Sequence, residues 1–547
     1  MSDVYQRRPW RELYDEAALG ASVDPSGSVW QCFRENSAQN PSRIAIRFFD
    51  MTLSYQELDD WSDHLSAWLL DGRAGAGDRV FVSLQNVPQF AIAVLAIWKA
   101  GAIPVLGNPM YRERELRVIF ADCSPKVSIC HPAQLSDLRA AAGPAGLLLV
   151  TDPHALHGQE QIRALWPEAQ CSEQDLIVSL RHSHHRRASH IPNSDEIALL
   201  LYTSGTTGVP KGAMLTHRNL LYTAKLGIIW FELDSHSRVL ALAPLFHITG
   251  FVLHFCVSLV CEAALSMFLR FDAQVALRTI KEHQATFMIG AATAYIAMLN
   301  AYNSEEAPLR SITHAYSGGA PVPPALVENF LKKTGKRILT AYGMTETTAP
   351  THAAPPHHVV PVDSATGAMA IGVPIPDTEA KIVDDNDQLC AIGEAGELCV
   401  RGPQIMAGYW HRPDETAKAV VDGWMHTGDV GFMDRNGWFY LVDRKKDMII
   451  ASGFKVWPRE VEDVLYSHPA VREVAVIGLR DRYRGETVKA FVSLNGSGTC
   501  TEAELIAHCR THLAAFKCPA AVTILSDLPR TTSGKIMRHA LREKSED

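Results

Sequence analysis

An apolar run, Ile-Ala-Leu-Leu-Leu-Tyr from position 197 to 202, passes directly into Thr203-Ser-Gly-Thr-Thr-Gly-Val-Pro-Lys-Gly212, and this junction limits the fold more than any other stretch. The run reads as a β-strand ending in a glycine-rich turn. A second short apolar run, 213–215, precedes a helix that starts near Asn219, so the local order is strand, loop, strand, helix. Small residues in such a loop let backbone N–H groups face phosphate oxygens, while the hydroxyls of Thr203, Ser204, Thr206 and Thr207 and the ammonium of Lys211 add donors and charge. Gly205 and Gly208 supply the backbone freedom. The loop is not the P-loop of NTPases, because counting that motif from Gly205 places Pro210 where a glycine is required. A plain glycine-rich hairpin is the alternative reading of this stretch alone.

Upstream, helix-like stretches (55–70 and 89–100) alternate with short apolar runs (79–84 and 102–106), the pattern of a layered α/β body with a buried sheet. The histidine-rich segment 181–190 has no apolar period and reads as a solvated linker rather than a metal site. The longest apolar stretch, 250–268, is interrupted by His254 and Glu262, which favours a buried helix over a membrane span. Near the C-terminus, strand signals at 474–478, 489–494 and 521–525 and a helix signal at 502–513 describe a small α+β domain. The expected division is 1–443, a hinge at 444–446, and 447–547. A chain of 547 residues, 47% of them hydrophobic, supplies several cores, and its formal net charge of −8 gives no general field for nucleic acid. Eleven cysteines without a CxxC pair point to a reducing, cytoplasmic setting, and the first residues lack the apolar core of a secretory signal.

Eight later motifs follow in order: PLFHITG (244–250), SGGAPVP (317–323), AYGMTET (341–347), GELCVRGPQIMAGYW (396–410), GWMHTGDVG (423–431), LVDRKKDMI (441–449), SGFKVWPREVE (452–462) and LPRTTSGKIMR (528–538). With the glycine-rich loop, they resemble the adenylate-forming superfamily, which includes acyl- and aryl-CoA synthetases, peptide-synthetase adenylation domains and beetle luciferases. The resemblance covers almost the whole chain. It implies a large multi-subdomain α/β N-terminal domain with a small mobile α+β C-terminal domain. It also implies an ATP- and Mg²⁺-dependent enzyme that adenylates a carboxylic acid and passes the acyl group to coenzyme A.

The resemblance also carries residue roles, each with a chemical reason. Thr345 offers a hydroxyl to the α-phosphate, and Glu346 a hard oxygen ligand for Mg²⁺. Gly318, Gly319 and Ala320, with Thr340, Ala341, Tyr342, Gly343 and Met344, form the adenine slot, where small residues admit a flat base beside the Tyr342 ring. Asp429 suits two ribose hydroxyls because a carboxylate accepts both, and Arg444 supports the same sugar. His247 lies beside the acyl pocket and the path of the thiol. Lys535 bridges the attacking carboxylate and the α-phosphate. Lys446 is the hinge residue, while Ser452 and Gly453 border the thiol tunnel.

The acyl pocket implied by the resemblance involves Gly250, Phe251, Ile289, Thr293 and Gly343. Its predominantly small and apolar surroundings, and the likeness of 108–120 to the medium- to long-chain fatty acyl-CoA synthetase branch, favour an apolar acid. Relatives often carry a glycine-valine-proline turn where this chain has Gly290-Ala291-Ala292-Thr293, so bulky cyclic or aryl acids remain open. A separate carrier protein is the alternative acceptor, and a homodimer is left open. A catalytically silent nucleotide-binding regulator is the reading from another class, disfavoured because both Glu346 and Lys535 are present.

Overall fold

The computed structural model describes residues 3–142, 147–151, 190–203, 210–444, 447–451, 454–481, 485–495, 500–530, 536–538 and 540–542. Two large sheets organise the first 410 residues. The seven-stranded sheet runs in the order Gly408–Tyr409, Lys211–Thr216, Ile197–Thr203, Ile103–Leu106, Arg79–Ser83, Val127–Cys130 and Leu147–Val150. The nine-stranded sheet centres on the parallel strands Phe287–Gly290, His314–Gly318 and Ile338–Met344. Helices cover both sheets. Helix Tyr55–Leu70 starts at a capping box, with the Ser54 hydroxyl accepting from Glu57 N–H and the Glu57 carboxylate accepting from Ser54 N–H. It packs against helix Pro88–Lys99, which is buried on every side; there the Lys99 ammonium is neutralised by Asp59 at 2.6 Å and Asp63 at 2.7 Å.

The expected strand, loop, strand, helix unit is present: Ile197–Thr203 pairs antiparallel with Lys211–Thr216, and helix His217–Trp230 follows. The stretch 250–268 differs from its expectation of one buried helix. Helical structure runs from Ile248 to Cys261, with a π-turn over Phe251–Cys256, and a strand takes over at Ala264–Met267. Glu262 ends the helix by taking φ +59, a left-handed conformation, while its carboxylate accepts from Asn40 Nδ2. Among the described residues no helix is long and apolar enough to cross a membrane. The linker expected at 181–190 lies outside the described residues except for His190.

A third, five-stranded sheet holds Trp424–Met433 between Gly396–Arg401 and Phe439–Arg444. The last hundred residues form the expected α+β arrangement, with strands Val471–Asp481, Gly485–Leu494 and Ala521–Ile524 and helices Pro458–Tyr466 and Glu502–His512. One apolar core extends from Tyr5 to Val442, and a distinct one gathers residues between Ile449 and Val522.

Candidate active site

Thr203 ends its strand opposite Lys211, so the two sides of the glycine-rich loop are fixed by a ladder pair. Ser204, Gly205, Thr206, Thr207 and Gly208 lie outside the described residues. Thr203 Oγ1 donates to Glu346 Oε1 at 3.4 Å, which brings the start of the loop to the carboxylate expected to hold a cation. Glu346 is only 6% exposed and sits in the short turn Thr345–Thr347. The Tyr409 phenol donates to the same Oε1 at 2.8 Å, and the backbone carbonyl of Glu346 accepts from Met406 N–H at 2.9 Å. Two donors thus converge on Oε1.

Among the described residues no cluster of three or more His, Cys, Asp or Glu side chains could enclose a metal ion. A single hard carboxylate at the phosphate loop nevertheless fits Mg²⁺, which is commonly bound by one or two carboxylates together with substrate phosphates. The expected phosphate-directed charge of Lys211 is otherwise engaged. Its ammonium pairs with Glu415 and lies 5.3 Å from the centre of the Tyr409 ring.

The residues expected to form the adenine slot occupy adjacent strands. Gly318 pairs with Ala341, and Gly319 follows with φ +75, a conformation that disfavours any side chain. Tyr342 pairs with His352 in the neighbouring strand Ala349–Ala353, and their rings meet edge to face with centroids 5.9 Å apart. His352 also contacts the Phe439 ring at 4.7 Å. Complete burial pushes the His352 pKa down to about 3, so the imidazole is neutral at pH 7. The Tyr342 phenol donates to Asp429 Oδ2 at 2.6 Å. Asp429 is in turn the ladder partner of Arg444, whose side chain lies outside the described residues. Tyr342, Asp429 and the Arg444 backbone are thus brought together, although the phenol and the carboxylate stand 87 positions apart in sequence.

His247 caps the turn Ile248–Gly250, with Nδ1 accepting from Thr249 N–H. Gly250 is forced by close approach: a Cβ there would lie 2.1 Å from the Pro244 carbonyl oxygen. Phe251 packs among Phe90, Trp98 and Phe255, and Ile289 is buried in the strand before helix Ala292–Ala301, which carries Thr293. His254, buried in the π-turn, has its pKa pushed down to about 3 by desolvation. Lys446, Ser452, Gly453 and Lys535 lie outside the described residues. Tyr409 and Glu415 have no expected role from sequence; the one local signal for Tyr409 is its place in the GYW end of the 396–410 motif.

A family model described as "AMP-binding enzyme" matches residues 33–410, and one described as "AMP-binding enzyme C-terminal domain" matches 460–535. A long-chain-fatty-acid–CoA ligase of Bacillus subtilis is 35% identical, with 99% of each chain covered. A feruloyl-CoA synthase of an Amycolatopsis species is 34% identical over 92% of this chain and 96% of its own. Among solved structures, ATP-bound MatB from Rhodopseudomonas palustris superposes with a TM-score of 0.85 at 27% identity, covering 95% of this chain and 99% of that one.

Proposed function

Since the chain belongs to the AMP-binding enzyme family and is an AMP-forming acyl-CoA ligase using ATP and coenzyme A, we propose that its acid has an uncharged, apolar body: a medium- or long-chain fatty acid or a bulky hydrophobic acid. One observation carries this reading. The segments expected to line the pocket, 250–255, 289–295 and 347–372, contain a single Asp, Glu, Lys or Arg, Asp363, whose carboxylate accepts from Thr366 N–H and Oγ1, and of their histidines His254 and His352 are buried and neutral. A second charge on the acid would therefore be desolvated there without a partner. The relatives named for a long-chain fatty acid and for feruloyl-CoA are compatible with an uncharged acyl body, whereas the anthranilate and o-succinylbenzoate ligases among the solved neighbours take acids with an amino group or a second carboxylate.

In this reading the carboxylate attacks the α-phosphate with loss of pyrophosphate, and the thiol of coenzyme A then displaces AMP from the acyl-adenylate. Thr345 and Lys535 stabilise charge at the α-phosphate, Tyr342 borders the adenine, Asp429 and Arg444 hold the ribose, and His247 flanks the carboxylate. Glu346 holds the cation, which when bound neutralises charge on the polyphosphate. The chain divides at 443, with 444–446 as hinge about Lys446 and 447–547 as a lid bearing Ser452 and Gly453 along the thiol path. The separate core between Ile449 and Val522 supports that division.

The test is pyrophosphate release from ATP and Mg²⁺ across linear, aryl, polycyclic and dicarboxylic acids, with coenzyme A present or withheld. Acyl-CoA formation from apolar monocarboxylic acids is expected. A preference for dicarboxylic or amino-bearing acids would overturn the substrate assignment.

A further inference from the structure

We propose that Tyr409 and Glu415 are positioning residues that brace the phosphate site: Tyr409 aims Glu346, and Glu415 commits the Lys211 charge to the protein frame rather than to the nucleotide. The inference rests on Glu346 as the cation ligand. Strand Gly408–Tyr409 pairs antiparallel with Lys211–Thr216 through Gly408 opposite Met214 and Tyr409 opposite Ala213. Two backbone bonds flank this pairing, Ala407 N–H to the Met214 carbonyl at 2.9 Å and Trp410 N–H to the Gly212 carbonyl at 2.7 Å. Helix Pro413–Ala419 begins four residues after Tyr409 and is tied back to it, because Thr416 Oγ1 accepts from Tyr409 N–H at 2.8 Å. Glu415, in the first turn, is thereby held against Lys211.

Tyr409 has two functions in this arrangement. Its ring lies beneath the Lys211 ammonium, and its hydroxyl reaches Glu346 Oε1. In this bond the phenol is the donor and the carboxylate the acceptor. With Thr203 Oγ1 on the same oxygen, two donors restrain the rotation of the Glu346 carboxylate. Lys211 is only 12% exposed at its side chain, and a buried ammonium next to a carboxylate offers a triphosphate the field of a dipole instead of a full positive charge.

The probe is Mn²⁺ binding, followed by electron paramagnetic resonance, with α,β-methylene-ATP present. Tyr409→Phe keeps the ring and loses the donor, and is expected to weaken Mn²⁺ binding about tenfold, the scale of one hydrogen bond to a charged group. Glu346→Gln is measured beside it. If Glu346→Gln binds Mn²⁺ like the wild type, the cation assignment itself fails; if only Tyr409→Phe does, the brace fails and the assignment stands. For the ion pair, Lys211→Glu and Glu415→Lys are each expected to raise the KM for ATP at least about tenfold, and the charge-swapped double variant to recover most of that loss. A double variant no better than Lys211→Glu alone overturns the proposal, because it shows that the nucleotide needs the Lys211 charge at that position.

Discussion

Acidification acts on this fold through three buried imidazoles. Desolvation lowers the pKa of His217 to about 4 and those of His254 and His352 to about 3, all three being buried. In the unfolded chain each returns to the ordinary value of 6.5. The unfolded state therefore binds more protons across this interval, so the stability is fully present above pH 6.5 and is lost as pH falls toward the folded values. At pH 5 each ring stands about 1.5 pH units below its unfolded pKa, worth about 2 kcal/mol apiece and about 6 kcal/mol for the three. That is comparable with the whole stability of a typical domain, roughly 5–15 kcal/mol. Desolvation shifts His283 and His314 in the same direction, the latter against the opposing pull of Glu232, which steepens the loss. The measurement is urea unfolding between pH 7 and 5, with proton uptake on unfolding determined by calorimetry in buffers of different ionisation enthalpy. Uptake of at least about three protons at pH 5 is expected, with His283 and His314 adding to it, and reduced by about one in His254→Leu. Uptake below one proton, or an unchanged value in His254→Leu, would refute the argument.

Three further outcomes follow from individual contacts. Tyr342→Phe removes the 2.6 Å hydrogen bond on Asp429 and should raise the KM for ATP about three- to tenfold with a smaller change in kcat, read from initial rates at varied ATP. Gly250→Ala places a Cβ 2.1 Å from the Pro244 carbonyl oxygen and should cost about 2–4 kcal/mol, visible as a lowered melting temperature; wild-type melting would show that the turn relaxes freely. Lys535→Ala should nearly abolish adenylate formation while largely sparing transfer to coenzyme A from supplied acyl-adenylate, and equal loss in both half-reactions would remove Lys535 from its assigned role.

Local structure was the legible part of the chain. The helix at 55–70, the paired runs around 197–216 and the final strand–helix pattern depend on neighbours a few residues apart, and the folded elements occupy nearly the expected ranges. The end of the stretch 250–268 departs from a buried helix for the same reason. Apolar content marks burial, but whether a buried segment stays helical was decided by Glu262, a single non-glycine residue in the left-handed region held by partners more than 200 positions away.

The candidate site divides along the same line. Motifs marked Tyr342, Glu346 and Asp429 as chemical groups, but their partners are set by topology. Tyr409 reaches Glu346 across 63 positions, Thr203 reaches Glu346 across 143, and Glu415 reaches Lys211 across 204. No periodicity links positions so far apart; the link is the antiparallel addition of Gly408–Tyr409 to the edge of the sheet that carries the loop. Lys211 shows the consequence most clearly. As a residue type beside a phosphate loop it suggested charge for the ligand, yet Glu415 and the Tyr409 ring answer that charge within the protein. The composition of a motif tells which chemistry is at hand, whereas the direction in which a side chain can spend it depends on which distant strand the sheet places alongside.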